Sequence, residues 1–267
     1  MSVQTLYTAA TGMDAMQTKL DVIANNLANI NTTAFKKDRA NFEDLLYRNE
    51  VLPGQLDATQ QATPVGTQVG LGTRVQSTQK DFGQGAFQET NRKLDVAILG
   101  DGFLQVQDPV SNNIVYTRSG NLDINAQGNL VIGSAQTGRP IEPAIAIPQD
   151  ALDIVISSTG IVSVLQPGVQ ELQQVGQLQL AKFINPDGLM KLGENLYQQT
   201  DASSAAITGD PGTNGLGTLQ QHALEASNVQ PVGELIDLIT TQRGFELNSQ
   251  AVQAGDQLMQ LIANLRR

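Results

Sequence analysis

Residues 3–30 have the sequence VQTLYTAATGMDAMQTKLDVIANNLANI, which predicts one long helix with a coiled-coil pattern. The apolar residues recur at alternating spacings of three and four over four heptads, as the a and d positions of a coiled coil do. They are Leu6, Ala9, Met13, Met16, Leu20, Ile23, Leu27 and Ile30. Because an apolar stripe this narrow can be buried only against another helix, we expect this helix to need a partner.

Four asparagines fall within residues 25–31, at the end of this predicted helix. Asparagine side chains compete with the helical backbone for hydrogen bonds and so disfavour a helix interior. We expect the helix to fray or end in this run, or the asparagine side chains to bond a neighbouring chain.

A second helix is predicted over residues 229–265, near the other end of the chain. Its apolar residues form two blocks, and the spacing of four on each side of Arg243 inserts a stutter between them, which locally unwinds a coiled coil. The blocks are Val229, Val232, Ile236 and Ile239, then Leu247, Ala251, Ala254, Leu258, Leu261 and Leu265. Internal glycines make such a helix marginal without a partner.

The two helices can pair with each other in antiparallel fashion, or with helices of other copies of the chain. The alternative is an ordinary helical hairpin inside a globular domain. The helices lie at opposite ends of the chain with a different architecture between them, which favours assembly. The residues assigned to self-assembly are Leu6, Met13, Met16, Leu20, Ile23, Leu27, Ile30, Leu247, Leu258, Leu261 and Leu265.

The middle of the chain, residues 75–221, has the character of a β domain. Short apolar segments alternate with turn residues, as at 96–99, 103–106, 114–117, 121–124 and 129–132, and further strands are predicted at 153–157, 161–165 and 175–184. Many short strands at this spacing indicate an antiparallel barrel or sandwich. The fold class is therefore α+β, with the terminal helices forming a coiled-coil layer.

Two segments rich in turn residues, 47–74 and 201–217, are predicted to be paired linkers between the helices and the β domain. Pro53 and Pro64 forbid a continuous helix in the first of them. The predicted domains are an N-terminal helix at 1–40, an extended connector at 41–74, the β domain at 75–221 and a C-terminal helix at 222–267.

Composition argues against several classes of function. The chain has 16 Lys and Arg against 26 Asp and Glu, a net charge of −10, which argues against nucleic acid and against docking on anionic lipid. With no cysteine and one histidine, His222, no nucleophile pair or metal cluster is evident, so we predict no enzyme activity, no cofactor and no small-molecule substrate. No Sec-type signal peptide is visible. A β domain that binds or acts on glycans is the alternative from another class.

Several motifs, in chain order, resemble the flagellar rod and hook protein family. They are ANNLAN at 24–29, TAFK at 33–36, DVAI at 95–98, GDGF at 100–103, YTRSG at 116–120, GENLY at 193–197, EASNV at 225–229 and QRGFELNS at 242–249. The chain departs from the pattern at Ala34, where the family often has glycine, and at Gly244, where alanine is common. Within the family, the segment 47–64 is similar to an insert of distal rod subunits, and a hook or proximal rod subunit is the runner-up.

The resemblance implies a structural subunit exported through the flagellar type III channel without a cleaved signal. Copies would polymerise helically into a hollow shaft that spans the periplasm in the basal body and transmits torque to the hook and filament. The resemblance implies contacts with proximal rod, hook and surrounding ring proteins and with the export apparatus. The connector, marked by Tyr47, Pro53 and Pro64, would stiffen the shaft.

Overall fold

The computed structural model describes residues 3–54, 64–109, 112–133, 138–168 and 171–265. The chain forms two compact units: a helix–hairpin unit from residues 1–28, 38–80 and 230–267, and a β unit from residues 29–37 and 81–229. Helices near both ends and a mainly β region between them confirm the α+β class. Coiled-coil packing and closure into a barrel or sandwich stay predictions.

The helix–hairpin unit contains two helices and four strands in the part of the chain that the structure describes. They are α1 (Val3–Ala28), β1 (Asp38–Asp44), β2 (Tyr47–Val51), β3 (Thr67–Gly70), β4 (Thr73–Lys80) and α2 (Pro231–Leu265). Pro231 opens α2, a position where its missing N–H leaves no helical bond unmade.

The first helix ends within the asparagine run, as predicted, and well before residue 40. Asn26 is 1% exposed, and its side chain receives a hydrogen bond from the N–H of Asp38 (2.8 Å) and donates one to the carbonyl of Asp38 (2.9 Å). It also donates to the Glu234 carboxylate in the first turn of α2 (3.2 Å). One asparagine therefore fixes the start of β1 and the start of α2 beside the end of α1.

The predicted extended connector, 41–74, is instead part of an antiparallel β-hairpin. Strands β1 and β4 pair from Asp38↔Lys80 to Asp44↔Thr73, and β2 and β3 continue the ladder from Tyr47↔Gly70 to Val51↔Thr67. Helix α1 packs against β1 and β4 and shields part of these polar strands from solvent. The composition of the segment does not reveal this packing.

The β unit holds the other strands of the described residues. They are β5 (Phe87–Glu89), β6 (Val96–Leu99), β7 (Phe103–Gln107), β8 (Ile114–Thr117), β9 (Leu122–Ile124), β10 (Leu130–Gly133), β11 (Gly138–Glu142), β12 (Asp153–Ile156), β13 (Ile161–Leu165), β14 (Gln173–Gln177), β15 (Leu180–Lys182), β16 (Met190–Gly193), β17 (Leu196–Gln198), β18 (Ile207–Gly209), β19 (Thr218–Gln221) and β20 (Ala223–Glu225). The strands predicted at 96–99, 103–106, 114–117, 121–124, 129–132, 153–157 and 161–165 are confirmed to within one residue at each end. The single strand predicted at 175–184 is instead divided between β14 and β15, which belong to different sheets.

All strand pairs of the β unit are antiparallel. The largest sheet of the described residues has nine strands, in the order β16-β17-β8-β7-β11-β10-β9, with β15 joining β7 to β18. Strands β12, β13 and β14 form a second sheet, and β6 and β5 pair with the late strands β19 and β20. Strands from the beginning and the end of the unit are therefore neighbours.

The core of the β unit is aliphatic with one aromatic cluster. Buried Val, Ile and Leu side chains from the strands and from Ile145 and Ile147 pack together. Phe103, Tyr116, Phe183 and Tyr197 form edge-to-face pairs with centroids 4.8–5.8 Å apart, a favoured arrangement of aromatic rings.

Two other sequence predictions change in the structure. The segment 201–217, predicted as a second linker, belongs to the β unit and contains β18. The C-terminal helix, predicted from residue 222, begins at Pro231 because Ala223–Glu225 is the strand β20. Among the described residues, neither helix has a stretch long and apolar enough to span a membrane.

Candidate self-assembly surfaces

The two terminal helices pack against each other in antiparallel fashion. A Cβ added at Gly255 would lie 2.5 Å from Cδ2 of Leu6, and one at Gly12 would lie 3.0 Å from Nδ2 of Asn248. One at Gly244 would lie 3.5 Å from Sδ of Met16. Residue numbers that increase along α1 therefore lie opposite residue numbers that decrease along α2, as in an antiparallel pair. Gly12 and Gly255 let the helices approach more closely than larger residues would.

The face of α2 that is turned toward α1 differs from the predicted seam. Besides Gly244 and Ser249, its less exposed positions are Glu234, Leu238, Thr241, Phe245, Asn248, Val252 and Gly255. Their spacing alternates between four and three without a break, so the stutter at Arg243 is not part of this face. Arg243 lies in solvent and pairs with Glu246 at 2.8 Å.

Apart from Val229, which is buried and precedes the helix, the predicted seam of α2 lies on its exposed face. Val232 is 70% exposed, Leu247 66% and Leu261 58%, and Ile236, Ile239 and Leu258 are exposed as well. We call these six residues the outer stripe; it has an upper block, 232–239, and a lower block, 247–261. Several exposed apolar side chains on one face of a helix indicate an interaction site more often than isolated exposed residues do.

The assigned residues of α1 lie on its inner face. Ile23 is buried, and Leu6, Met13, Met16, Leu20 and Leu27 are partly buried. Ile30 comes after the end of α1 and belongs to the β unit. Leu265 ends α2, and its side chain lies outside the described residues. The structure therefore brings Leu6 and Met16 of the α1 stripe against α2 but leaves the outer stripe of α2 uncovered within the described chain.

The far end of the hairpin is a second exposed surface. Tyr47 is 53% exposed, Pro53 and Pro64 are exposed, and every residue of β2 is exposed. A hydrogen bond to the Asp44 carboxylate raises the pKa of the Tyr47 hydroxyl. The rest of the predicted insert, residues 55–63, lies outside the described residues. A two-stranded ladder is marginal without further cover, so this end of the hairpin is suited to contact another surface.

Residue types and spacing did not reveal a buried ion network in the β unit. Glu225 accepts hydrogen bonds from Lys36 Nζ (2.6 Å) and Arg118 Nε (3.0 Å), and all three side chains are at most 4% exposed. The three residues are remote in sequence, so only their presence in family-like motifs pointed to them.

Two cations share one carboxylate in this network. Burial opposes ionisation of Glu225, but Arg118 and Lys36, with a hydrogen bond from the Gly85 N–H, hold the pKa of that carboxyl below its usual value. Burial and the nearby Arg118 guanidinium lower the pKa of Lys36, although Glu225 opposes this.

Little in the described residues resembles a catalytic or metal site. No group of three or more metal-ligating side chains occurs there. A cleft of about 320 Å³ in the β unit contains Arg139, but Glu194 neutralises this cation at 2.8 Å. A glycosidase acid needs a raised pKa, whereas the hydrogen bond from Lys93 lowers the pKa of Asp153, and the pKa of Glu225 is also lowered. In the part of the chain that the structure describes, no observation favours the glycan-acting alternative.

Three family descriptions match the chain in order. Residues 6–36 match "Flagella basal body rod protein", residues 97–164 match "Flagellar hook protein FlgE/F/G D1 domain", and residues 220–265 match "Flagellar basal body rod FlgEFG protein C-terminal".

Proteins that match the chain over its whole length are also flagellar basal-body rod proteins. The chain is 44% identical to the flagellar basal-body rod protein FlgG of Caulobacter vibrioides over 99% of its own length and 100% of the relative's. It is 43% identical to FlgG of Buchnera aphidicola subsp. Schizaphis graminum, over 98% and 100% of the two chains. It is 42% identical to FlgG of Borreliella burgdorferi, over 99% of each.

Proposed function

The chain belongs to the FlgG family of flagellar basal-body rod proteins, and from this we propose that it assembles with copies of itself into the hollow shaft of the distal rod. The family is one of structural proteins of the flagellar basal body, not of enzymes. The observation that best supports self-assembly is the outer stripe, which is apolar, lies on a 35-residue helix and is uncovered in the single chain.

The outer stripe supports a contact between unlike surfaces of neighbouring copies. On one chain the inner faces of α1 and α2 already cover each other, so the outer stripe needs a surface from another copy. A contact between two different patches that does not close a ring generates a helical filament. We propose that the α1–α2 pair is the inner layer of such a tube and forms a coiled-coil layer with neighbouring pairs.

The exposed end of the hairpin suits a second role. We propose that the segment around Tyr47, Pro53 and Pro64 contacts adjacent subunits and stiffens the shaft, so that the shaft transmits torque. Export through the flagellar type III channel, a position spanning the periplasm, and contacts with proximal rod, hook and ring proteins are further parts of this proposal.

The variant Leu247→Asp tests the role of the outer stripe. Burying a Leu side chain contributes roughly 1.5–3 kcal/mol, and an unpaired carboxylate in a subunit contact adds a desolvation cost. We therefore expect the critical concentration for assembly to rise by more than about tenfold. Because Leu247 is 66% exposed in the monomer, the stability of the single chain should change by no more than about 0.5 kcal/mol.

Gln253→Asp is the matched control, since Gln253 is exposed on α2 outside the outer stripe and receives the same charge. Sedimentation and negative-stain electron microscopy measure assembly, and circular dichroism measures the fold. If Leu247→Asp assembles at the wild-type concentration, or if both variants are blocked equally, the outer stripe is not the contact.

A further inference from the structure

Three distant segments meet where the chain enters and leaves the β unit. They are residues 32–37, 81–86 and 223–229, and all belong to the β unit. The N–H of Ala34 donates to the carbonyl of Glu225 (2.7 Å), and the N–H of Asp81 donates to the carbonyl of Lys37 (2.9 Å). The N–H of Ala226 donates to the carbonyl of Ala86 (2.8 Å). We call this place the junction.

Side-chain hydrogen bonds also stabilise the junction. The Asn228 side chain accepts from the N–H of Lys37 (2.8 Å) and donates to the carbonyl of Asp81 (2.8 Å). The Asn195 side chain donates to the carbonyl of Thr33 (2.9 Å). The segment 32–37 has no regular secondary structure of its own, so these bonds, rather than a strand ladder, hold it in place.

The buried ions lie at the centre of the junction. Lys36 Nζ donates to the Gly83 carbonyl (2.7 Å) as well as to Glu225. The Arg118 guanidinium donates to the carbonyls of Gly100 and Gly102, both at 3.0 Å. A buried ion pair that loses one partner is strongly destabilising, because the remaining charge is left uncompensated. Without Glu225, closure of the junction would place two cations in one dry site.

From this arrangement we infer that Lys36, Arg118 and Glu225 form a latch. The latch lets segment 32–37 dock on the β unit only when segment 223–229 is also in place. Both cations precede Glu225 in the chain. In the same way, the early strands β5 and β6 pair with strands near the end of the unit, β20 and β19. The β unit therefore completes its fold only after nearly the whole chain is present, whatever the chain later assembles into.

The first test uses full-length Glu225→Gln and Lys36→Met as monomers, with amide hydrogen exchange as the readout. We expect each variant to speed exchange at Ala34 and Lys37 by at least tenfold. We also expect the double variant to speed exchange by less than the product of the two single-variant fold changes, because the charges are coupled. Lys93→Met, which removes an exposed ion pair with Asp153, is the control and should leave these amides unchanged.

Changes of less than twofold at Ala34 and Lys37, or fully multiplicative effects, would overturn the latch. If either variant fails to fold, refolding of the wild-type chain decides the question by pulsed exchange labelling. The latch predicts that the amides of Ala34, Lys37 and Ala226 become protected in the same kinetic phase. Protection of Ala34 and Lys37 in an earlier phase than Ala226 would refute it.

Discussion

At the scale of single residues, polar side chains fix the places where the chain changes direction. Asn26 ends α1 by bonding both backbone groups of Asp38. Ala34 has φ +57°, in the left-handed region that glycine favours, so a glycine at this position would carry less backbone strain. The asparagine run predicted the end of the helix, but sequence spacing could not predict which partners these side chains find.

Glu225 should make the stability of the β unit depend on pH. Its pKa is lowered in the folded state, so its contribution is fully present above the unfolded pKa of about 4.3 and is lost as the pH falls through the folded pKa. We expect Glu225→Gln to lower the free energy of unfolding by about 3–5 kcal/mol at pH 7. The difference from wild type should narrow as the pH falls below about 4.

Urea denaturation at each pH measures this difference, and the near-ultraviolet circular dichroism of Tyr116 and Tyr197 reports on the β unit. Asp123→Asn is the control, since Asp123 forms an exposed pair with Arg92 and such pairs contribute little. A difference between wild type and Glu225→Gln that stays constant from pH 7 to pH 3 would contradict the role given to the carboxylate.

At the scale of elements, the sequence predicted the helices better than their contacts. Leu6 and Met16 of the α1 heptad lie against α2, whereas its last position, Ile30, lies beyond the end of the helix. On α2 the most apolar stripe was assigned to the helical seam, but Thr241, Asn248 and Gly255 lie on the inner face instead. The close approach of the two helix backbones at Gly12 and Gly255 accounts for this register. A hydrophobic pattern carries no information on the distance between two backbones, so it could not predict the register. The same pattern did identify the surface that is left exposed.

The hairpin was harder to predict, because its exposed end lacks a buried face. Strands β2 and β3 consist mainly of polar or exposed residues, so the alternation that marks a half-buried strand is absent. Pro53 and Pro64 excluded a helix correctly but gave no sign of strand pairing.

Shortening the hairpin tests its proposed stiffening role. Leu46 and Leu71 are already joined by a hydrogen bond from the N–H of Leu71 to the carbonyl of Leu46 (3.1 Å). Replacing residues 47–70 with Asn-Gly, a favoured two-residue turn, should therefore preserve β1, β4 and the helices. We expect the shortened chain to assemble into a more flexible, more curved tube, with a shorter persistence length in electron micrographs.

The control for this experiment keeps the hairpin and replaces Arg48 and Glu50 with glutamine, which removes an exposed ion pair on β2. Its tube should be as straight as that of the wild type. If the shortened chain also gives a straight tube of wild-type stiffness, the hairpin does not stiffen the shaft.

At the scale of the whole molecule, composition and pattern predicted the α+β class and about half of the sixteen described strands of the β unit, because those strands are short apolar runs between turns. The junction could not be predicted in this way. Lys36, Arg118 and Glu225 are separated by 82 and 107 residues, so their contact follows from the topology of the complete unit. The family motifs at 33–36, 116–120 and 225–229 contain these residues, and the structure gives them a physical role.

Labelling of a single cysteine tests the central claim, assembly through the outer stripe, most directly. The chain has no cysteine, so Leu247→Cys creates a unique thiol, and Gln253→Cys provides a matched thiol outside the stripe. Maleimide labelling is measured by mass spectrometry for the monomer and for the assembled tube. We predict that assembly slows labelling at position 247 by at least tenfold relative to position 253. Equal labelling of position 247 in monomer and tube would contradict the account.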